Sequence, residues 1–166
     1  VSAAMNANTA RVVLQAQAVM HKDPAKVLSA LNHSLQQEFQ MKQFLTLGYL
    51  LLDTQTATLT YASAGHEPFV LITAAFEKYR LLKPHGYPFS SLHAELFDQR
   101  ITQETYLLEH GDVVFCYTDG ATDIVNDQEE IFGEERLYSL VQRLHALSAQ
   151  HILENLYQTL QTFQGH

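Results

Sequence analysis

Cysteine is almost absent from this sequence: Cys116 stands alone among 166 residues. A single thiol can form no internal disulfide and no cysteine-rich zinc site, which fits a reducing, cytoplasmic setting. Positive charge is scarce as well. Ten Lys and Arg face eighteen Asp and Glu, a net charge of −8. That balance argues against a protein that tracks a nucleic-acid backbone. No apolar run reaches the roughly 18 residues of a membrane span, and the N-terminus lacks the basic start and apolar stretch of a secretory signal. Four prolines and seven glycines are too few for a low-complexity linker, and no internal repeat is visible.

What is present is a core. Hydrophobic residues make up 46% of the chain and charged residues 17%, which excludes intrinsic disorder. The length suits one domain, residues 1–166, whose folding buries roughly two-thirds of the unfolded surface without staples. The chain starts at Val1 rather than Met, as a piece of something longer would.

Period separates three regions. Met5, Thr9, Val12, Ala16 and Val19 recur at helical spacing. Asp23-Pro24 is a cap followed by a first-turn proline, and Leu28, Leu31, Leu35 and Phe39 form a second stripe. Strand patterns then take over at Phe44–Leu52, Thr58–Ala64, Phe69–Thr73, Lys78–Leu82 and Leu96–Leu108, with a loop over Pro84–Ser90. Val113–Thr118 is apolar on both faces, as in a strand buried between two layers. Two helical stripes close the chain: Leu137, Leu140, Val141 and Leu144, then Leu153, Leu156, Leu160 and Phe163, with Ser148 as a cap. Segregated helices and antiparallel-type strands define an α+β fold.

The stretch Tyr117-Thr118-Asp119-Gly120 is the most informative chemically. An apolar strand delivers Asp119 into a glycine turn, where backbone can approach an ion or substrate. An aspartyl-phosphate mechanism needs a nucleophilic Asp where Tyr117 stands, so it fails. A calcium loop starting at Asp119 puts Ala121 and Ile124 where a ligand and a glycine belong, so it fails too. Cys116 lacks the downstream arginine of a cysteine phosphatase and reads as a small buried hydrophobe. A site for hard divalent cations survives, with Asp119 as one ligand and Asp123, Asp127, Glu129 and Glu130 near it in sequence. One fixed carboxylate cannot assemble a two-metal site by itself. Among the histidines only His66 falls in a motif, where it reads as holding a glycine-proline turn by hydrogen bonds. His21, His33, His85, His93, His110, His145, His151 and His166 show no paired zinc spacing and read as surface residues. Tyr61 and Tyr117 read as core packing.

Several of these segments occur together in one order. Phe44-Leu45-Thr46, Tyr61-Ala62-Ser63-Ala64-Gly65-His66-Glu67-Pro68, Gly111-Asp112, Tyr117-Thr118-Asp119-Gly120 and Phe132-Gly133 resemble the sporulation-stage-II-E (SpoIIE) type of the PPM metal-dependent protein phosphatases. The resemblance covers essentially the whole chain. It implies an antiparallel β-sandwich flanked by helices, a four-layer αββα arrangement. It further implies Mn²⁺- or Mg²⁺-dependent dephosphorylation of phosphoserine or phosphothreonine, with two ions and Asp119 as a metal ligand. Implied partners are a phosphoprotein of the anti-sigma-factor antagonist type and a fused receiver or sensor domain in a bacterial partner-switching regulator. A homodimer through the terminal helices is compatible with their stripes.

The resemblance places the family's Asp-x-x-Gly-His-Gly motif just before Val1 and its paired aspartates just after His166. The 166 residues alone are therefore expected to be inactive, truncated at both ends. Departures from the pattern fall at Glu67, at Ser90 and at Asp123, where the family has Asn, Gly and Glu. The alternative is a phosphatase-like module that binds a regulatory partner without catalysis.

Overall fold

A computed structural model describes residues 2–37, 44–74, 79–89 and 92–165. Phe39, Lys78, Ser90 and His166 lie outside them, as does the side chain of Met5. The described residues fall into two compact units: Val1–His66 with Lys83–Leu107, and Glu67–Leu82 with Leu108–His166.

The first unit holds α1 (Ser2–Met20), α2 (Pro24–Gln37), β1 (Leu47–Asp53), β2 (Thr58–Ala64), α3 (Ala94–Arg100) and β5 (Gln103–Leu107). The Asp23 cap forms as its sequence predicts: its Oδ1 accepts from the backbone N–H of Lys26 at 3.3 Å. Val27, Leu28, Leu31 and Leu35 are fully buried on one face of α2. Each such side chain contributes about 1.5–3 kcal/mol on burial. Leu28, Leu31 and Leu35 pack with Ala62 and Ala64 of β2 and with Phe89 and Phe97, whose rings stack 5.6 Å apart. The sheet is antiparallel in the order β1-β2-β5, with Leu50 opposite Tyr61 and Leu59 opposite Tyr106. Asp53 closes the β1-β2 turn by accepting from the N–H groups of Gln55 and Thr56 at 2.8 and 3.2 Å.

The second unit holds β3 (Phe69–Ile72), β4 (Tyr79–Leu82), β6 (Val113–Phe115), α4 (Gly133–Leu144) and α5 (Ala149–Gln164). Its sheet is also antiparallel, in the order β4-β3-β6. β3 lies in the centre and all four of its residues are buried. Val70, Ile72 and Phe115 meet Leu137, Val141, Ile152 and Leu156 from the two helices. Ser148 caps α5 as expected, its Oγ accepting from the N–H of His151 at 3.3 Å. The α+β class with antiparallel sheets and segregated helices is thus what the chain adopts.

Five local expectations need correction. The α1 stripe is out of phase: Val12 and Val19 are exposed, while Ala10, Val13 and Leu14 face the core. Alanine filling made two faces of that helix almost equally apolar. On α5 it is Ile152 that is buried, and Leu153 is 57% exposed. Leu96–Leu108 is not one strand, because its first part is α3. There Glu95 and Arg100 suit the helix ends electrostatically, and only Phe97 is buried. The strand over Val113–Thr118 stops at Phe115. Among the described residues β6 pairs on one side only, so it stands at an edge rather than between neighbours.

Candidate functional site

The segment after β6 continues extended to Thr118 and then tightens into a single 3₁₀ turn, Asp119–Ala121. The Asp119 carbonyl accepts from the N–H groups of Thr122 and Asp123, at 2.9 and 2.8 Å, and from Thr122 Oγ1 at 3.1 Å. Three donors on one oxygen fix the backbone of this residue. Its side chain is exposed, and its carboxylate accepts no hydrogen bond from the described residues. Gly120 has ordinary backbone angles, and a Cβ there would meet only Thr118 Oγ1 at 3.5 Å. The turn itself does not demand glycine.

Aromatic packing anchors the strand that leads here. Tyr117 is buried, and its hydroxyl is hydrogen-bonded to that of Tyr138 on α4 and donates to Glu134 Oε1 at 3.4 Å. Tyr138 also packs on Tyr79, ring centroids 5.0 Å apart. Burial pushes both phenols above their ordinary value, Tyr117 strongly, so both stay protonated. Tyr61 is likewise fully buried, so both tyrosines expected in the core are there. Glu134 and Tyr138 were not singled out from sequence. Their spacing on α4 marks a shared face but says nothing of what that face meets.

Two of the four neighbouring acids, Asp123 and Glu130, are committed. Asp123 Oδ1 accepts from Thr122 Oγ1 at 3.3 Å. Val125 and Ile131 bridge a small hairpin in which Asn126 Oδ1 accepts from the N–H groups of Gln128 and Glu130, at 3.0 and 2.8 Å. Glu130 accepts from Asn126 Nδ2 at 3.0 Å and lies 3.7 Å from Arg136. Among the described residues no three His, Cys, Asp or Glu side chains converge to hold a metal ion. Asp119 therefore suits one ligand position for a hard cation, and the neighbouring acids do not complete a site around it.

Cys116 is exposed, not buried as its apolar neighbours suggest. Burial around its sulfur nevertheless pushes the thiol up to about 11. Protonation state governs reactivity here, since the thiolate is the nucleophile, so Cys116 is a poor one.

In the first unit, the turn at His66 is held by Ser63, whose Oγ accepts from the His66 N–H at 3.1 Å. Gly65, at φ +69°, and Gly86 let the Pro84–Phe89 loop press on the end of β2: a Cβ at Gly86 would fall 1.8 Å from the Ser63 carbonyl oxygen. His85, His93, His110 and His151 are exposed as expected, whereas His21, His33 and His145 are half-buried. His33 Nε2 lies 2.8 Å from Asp98 Oδ2, a pairing the sequence reading missed.

These antiparallel sheets and helices are the fold of PP2C phosphatase domains. The SiaA-PP2C domain of Pseudomonas aeruginosa superposes with a TM-score of 0.83 at 19% identity, covering 100% of this chain and 65% of that one. The structure of the RsbU and RsbW domains of Rv1364c from Mycobacterium tuberculosis gives 0.75 at 20% identity, covering 98% and 44%. The chain belongs to the stage II sporulation protein E (SpoIIE) family, whose sequence profile matches residues 1–166. Phosphoserine phosphatase RsbU of Bacillus subtilis (strain 168) is 28% identical over 149 residues, which cover 86% of this chain and 42% of RsbU. No helix among the described residues is long and apolar enough to cross a membrane.

Proposed function

We propose that residues 1–166 form one phosphatase domain of a metal-dependent phosphoprotein phosphatase, and that Asp119 is one of its metal ligands. The substrate is phosphoserine or phosphothreonine on a protein of the anti-sigma-factor antagonist type, within cytoplasmic partner-switching signalling. Membership of the SpoIIE family, the PP2C fold and the relative named as a phosphoserine phosphatase support this reading. The observation that carries it is Asp119 itself, an exposed carboxylate on a fixed backbone with no hydrogen bond from the described residues.

Asp119 would hold one of two Mn²⁺ or Mg²⁺ ions, whose chemistry when bound would be to make water acidic enough to supply hydroxide at neutral pH. The chain's own contribution is orientation. Tyr117 and Tyr138 fix the strand end, and the Thr122 and Asp123 N–H groups fix the turn, so the Asp119 backbone is set in place and its exposed carboxylate stays free to turn toward an ion. Its partners in a two-ion site are residues other than the acids described around it. A receiver or sensor domain elsewhere in the protein would set when the site works, and a homodimer is compatible with that control.

The test uses full-length protein, a phosphoserine peptide and para-nitrophenyl phosphate. Phosphate release is expected with Mn²⁺ or Mg²⁺ and not with chelator. Asp119→Asn should reduce release at least about a hundredfold with an unchanged circular dichroism spectrum. Metal-independent release, or full activity in Asp119→Asn, overturns the reading. Partner binding without metal and without phosphate release would favour the regulatory module instead.

A further inference from the structure

Phe132 at the head of α4 meets Phe163 near the foot of α5, ring centroids 5.2 Å apart, so the two helices run antiparallel. Their inner faces enter the core of the second unit through Leu137, Val141, Ile152 and Leu156. Their outer faces bound a valley of about 760 Å³. That volume is in the range of ligand sites, roughly 300–1,000 Å³.

From α4 the valley takes Arg136, Leu140 and Arg143, one face at i, i+4 and i+7. From α5 it takes Asn155, Thr159 and Thr162 at matching spacing. The outer valley of two antiparallel helices is the shape into which a third helix packs, ridge into groove. Phe132, Leu140 and Phe163 supply a short apolar floor, and the α5 side is amide and hydroxyl.

Charge sets the chemistry of the occupant. Two of the ten basic residues of a chain with net charge −8 line this one valley. Their Cα atoms are separated by about 10.5 Å along the helix axis. Arg136 is held in place: Nη1 donates to the Ile131 carbonyl at 2.8 Å, and the guanidinium stands 5.0 Å over the Phe163 ring. Glu130 neutralises part of its charge from 3.7 Å. Arg143 has no ion-pair partner among the described residues. Glu135, beside Arg136, is the valley's one lining acid.

We propose that the α4–α5 valley docks an acidic amphipathic helix of a partner protein. Carboxylates seven residues apart on that helix would reach Arg136 and Arg143. An apolar side chain between them would rest on Phe132, Leu140 and Phe163. The proposal is independent of the metal site, and its failure leaves the phosphatase reading as it stands.

The test is fluorescence anisotropy of a labelled helical peptide, with Glu at i and i+7 and Leu at i+4, titrated with full-length protein. Saturable binding is expected, weakened by salt and by at least about tenfold in Arg143→Glu. A peptide with Lys at i+7 should recover binding to Arg143→Glu, a rescue that simple loss of folding cannot produce. Ser139→Trp, which fills the valley from the exposed side of α4, should abolish binding by steric exclusion. Three outcomes overturn the proposal: no saturable binding, equal binding of a peptide of the same composition with the acids at i and i+5, or competition by inorganic phosphate at equal charge concentration.

Discussion

Asp98 on α3 joins two residues one turn apart on α2: its Oδ2 lies 2.8 Å from His33 Nε2, and its Oδ1 accepts from the Ser29 hydroxyl. Both members of the ionisable pair are a little over one-third exposed, at 36% and 37%. A pair so placed is screened by water, and its contribution is modest.

Asp98→Ala should therefore cost about 1 kcal/mol in urea unfolding, most of it from the Ser29 and His33 hydrogen bonds together. Ser29→Ala combined with Asp98→Ala should cost scarcely more than Asp98→Ala alone, because the two share one interaction. Strict additivity in that cycle would show that the clasp does not act as described.

The α4 and α5 stripes make a sharper contrast. Leu137 is fully buried in the second core, whereas Leu153 is 57% exposed. Leu137→Ala should destabilise by about 2–5 kcal/mol through lost burial and the cavity left behind. Leu153→Ala should stay within about 0.5 kcal/mol. Equal costs would contradict the register of α5, in which Ile152 faces inward.

Cys116 carries a pH prediction. Burial raises its thiol from 9.0 to about 11, and the thiol is neutral when protonated. Its contribution to stability is full below pH 9 and is lost as pH rises toward 11. Alkylation by iodoacetamide should climb through that window without levelling near pH 9. Cys116→Ser should lose less stability over the same window than the parent chain. An alkylation plateau near pH 9 would mean that the sulfur is as free as its exposed surface suggests.

Where sequence and structure agree, one signal was enough. Asp23-Pro24 starts α2, Ser148 caps α5, and β2 spans Thr58–Ala64 because turn residues bound its apolar run. Where they part, two local signals compete. Around Phe97 the residues have good helix preference, and contacts with α2 and Phe89 settle the helix. In α1 the alanines leave the phase open, and contact with α2 chooses it. The candidate site was legible as far as Asp119, whose strand and glycine turn are contiguous. The hold on it was not: Tyr138 and Glu134 come from α4, and nothing near Tyr117 in sequence announces them. The His33–Asp98 pair spans 65 residues, and its one local trace is that Ser29 and His33 share a face.

The two units interleave along the chain, which passes from one to the other after His66, after Leu82 and after Leu107. No single cut can release either unit as one continuous piece. During synthesis β3 and β4 leave the ribosome before β5, which pairs with β2 in the other sheet, and β3 must then wait for β6. A chain halted at Leu107 would own β1, β2 and β5 of one sheet and only the β3-β4 hairpin of the other. Pairing of β6 with β3 thus coincides with arrival of the segment that carries Asp119, so translation delivers the candidate ligand just behind the strand that seats it.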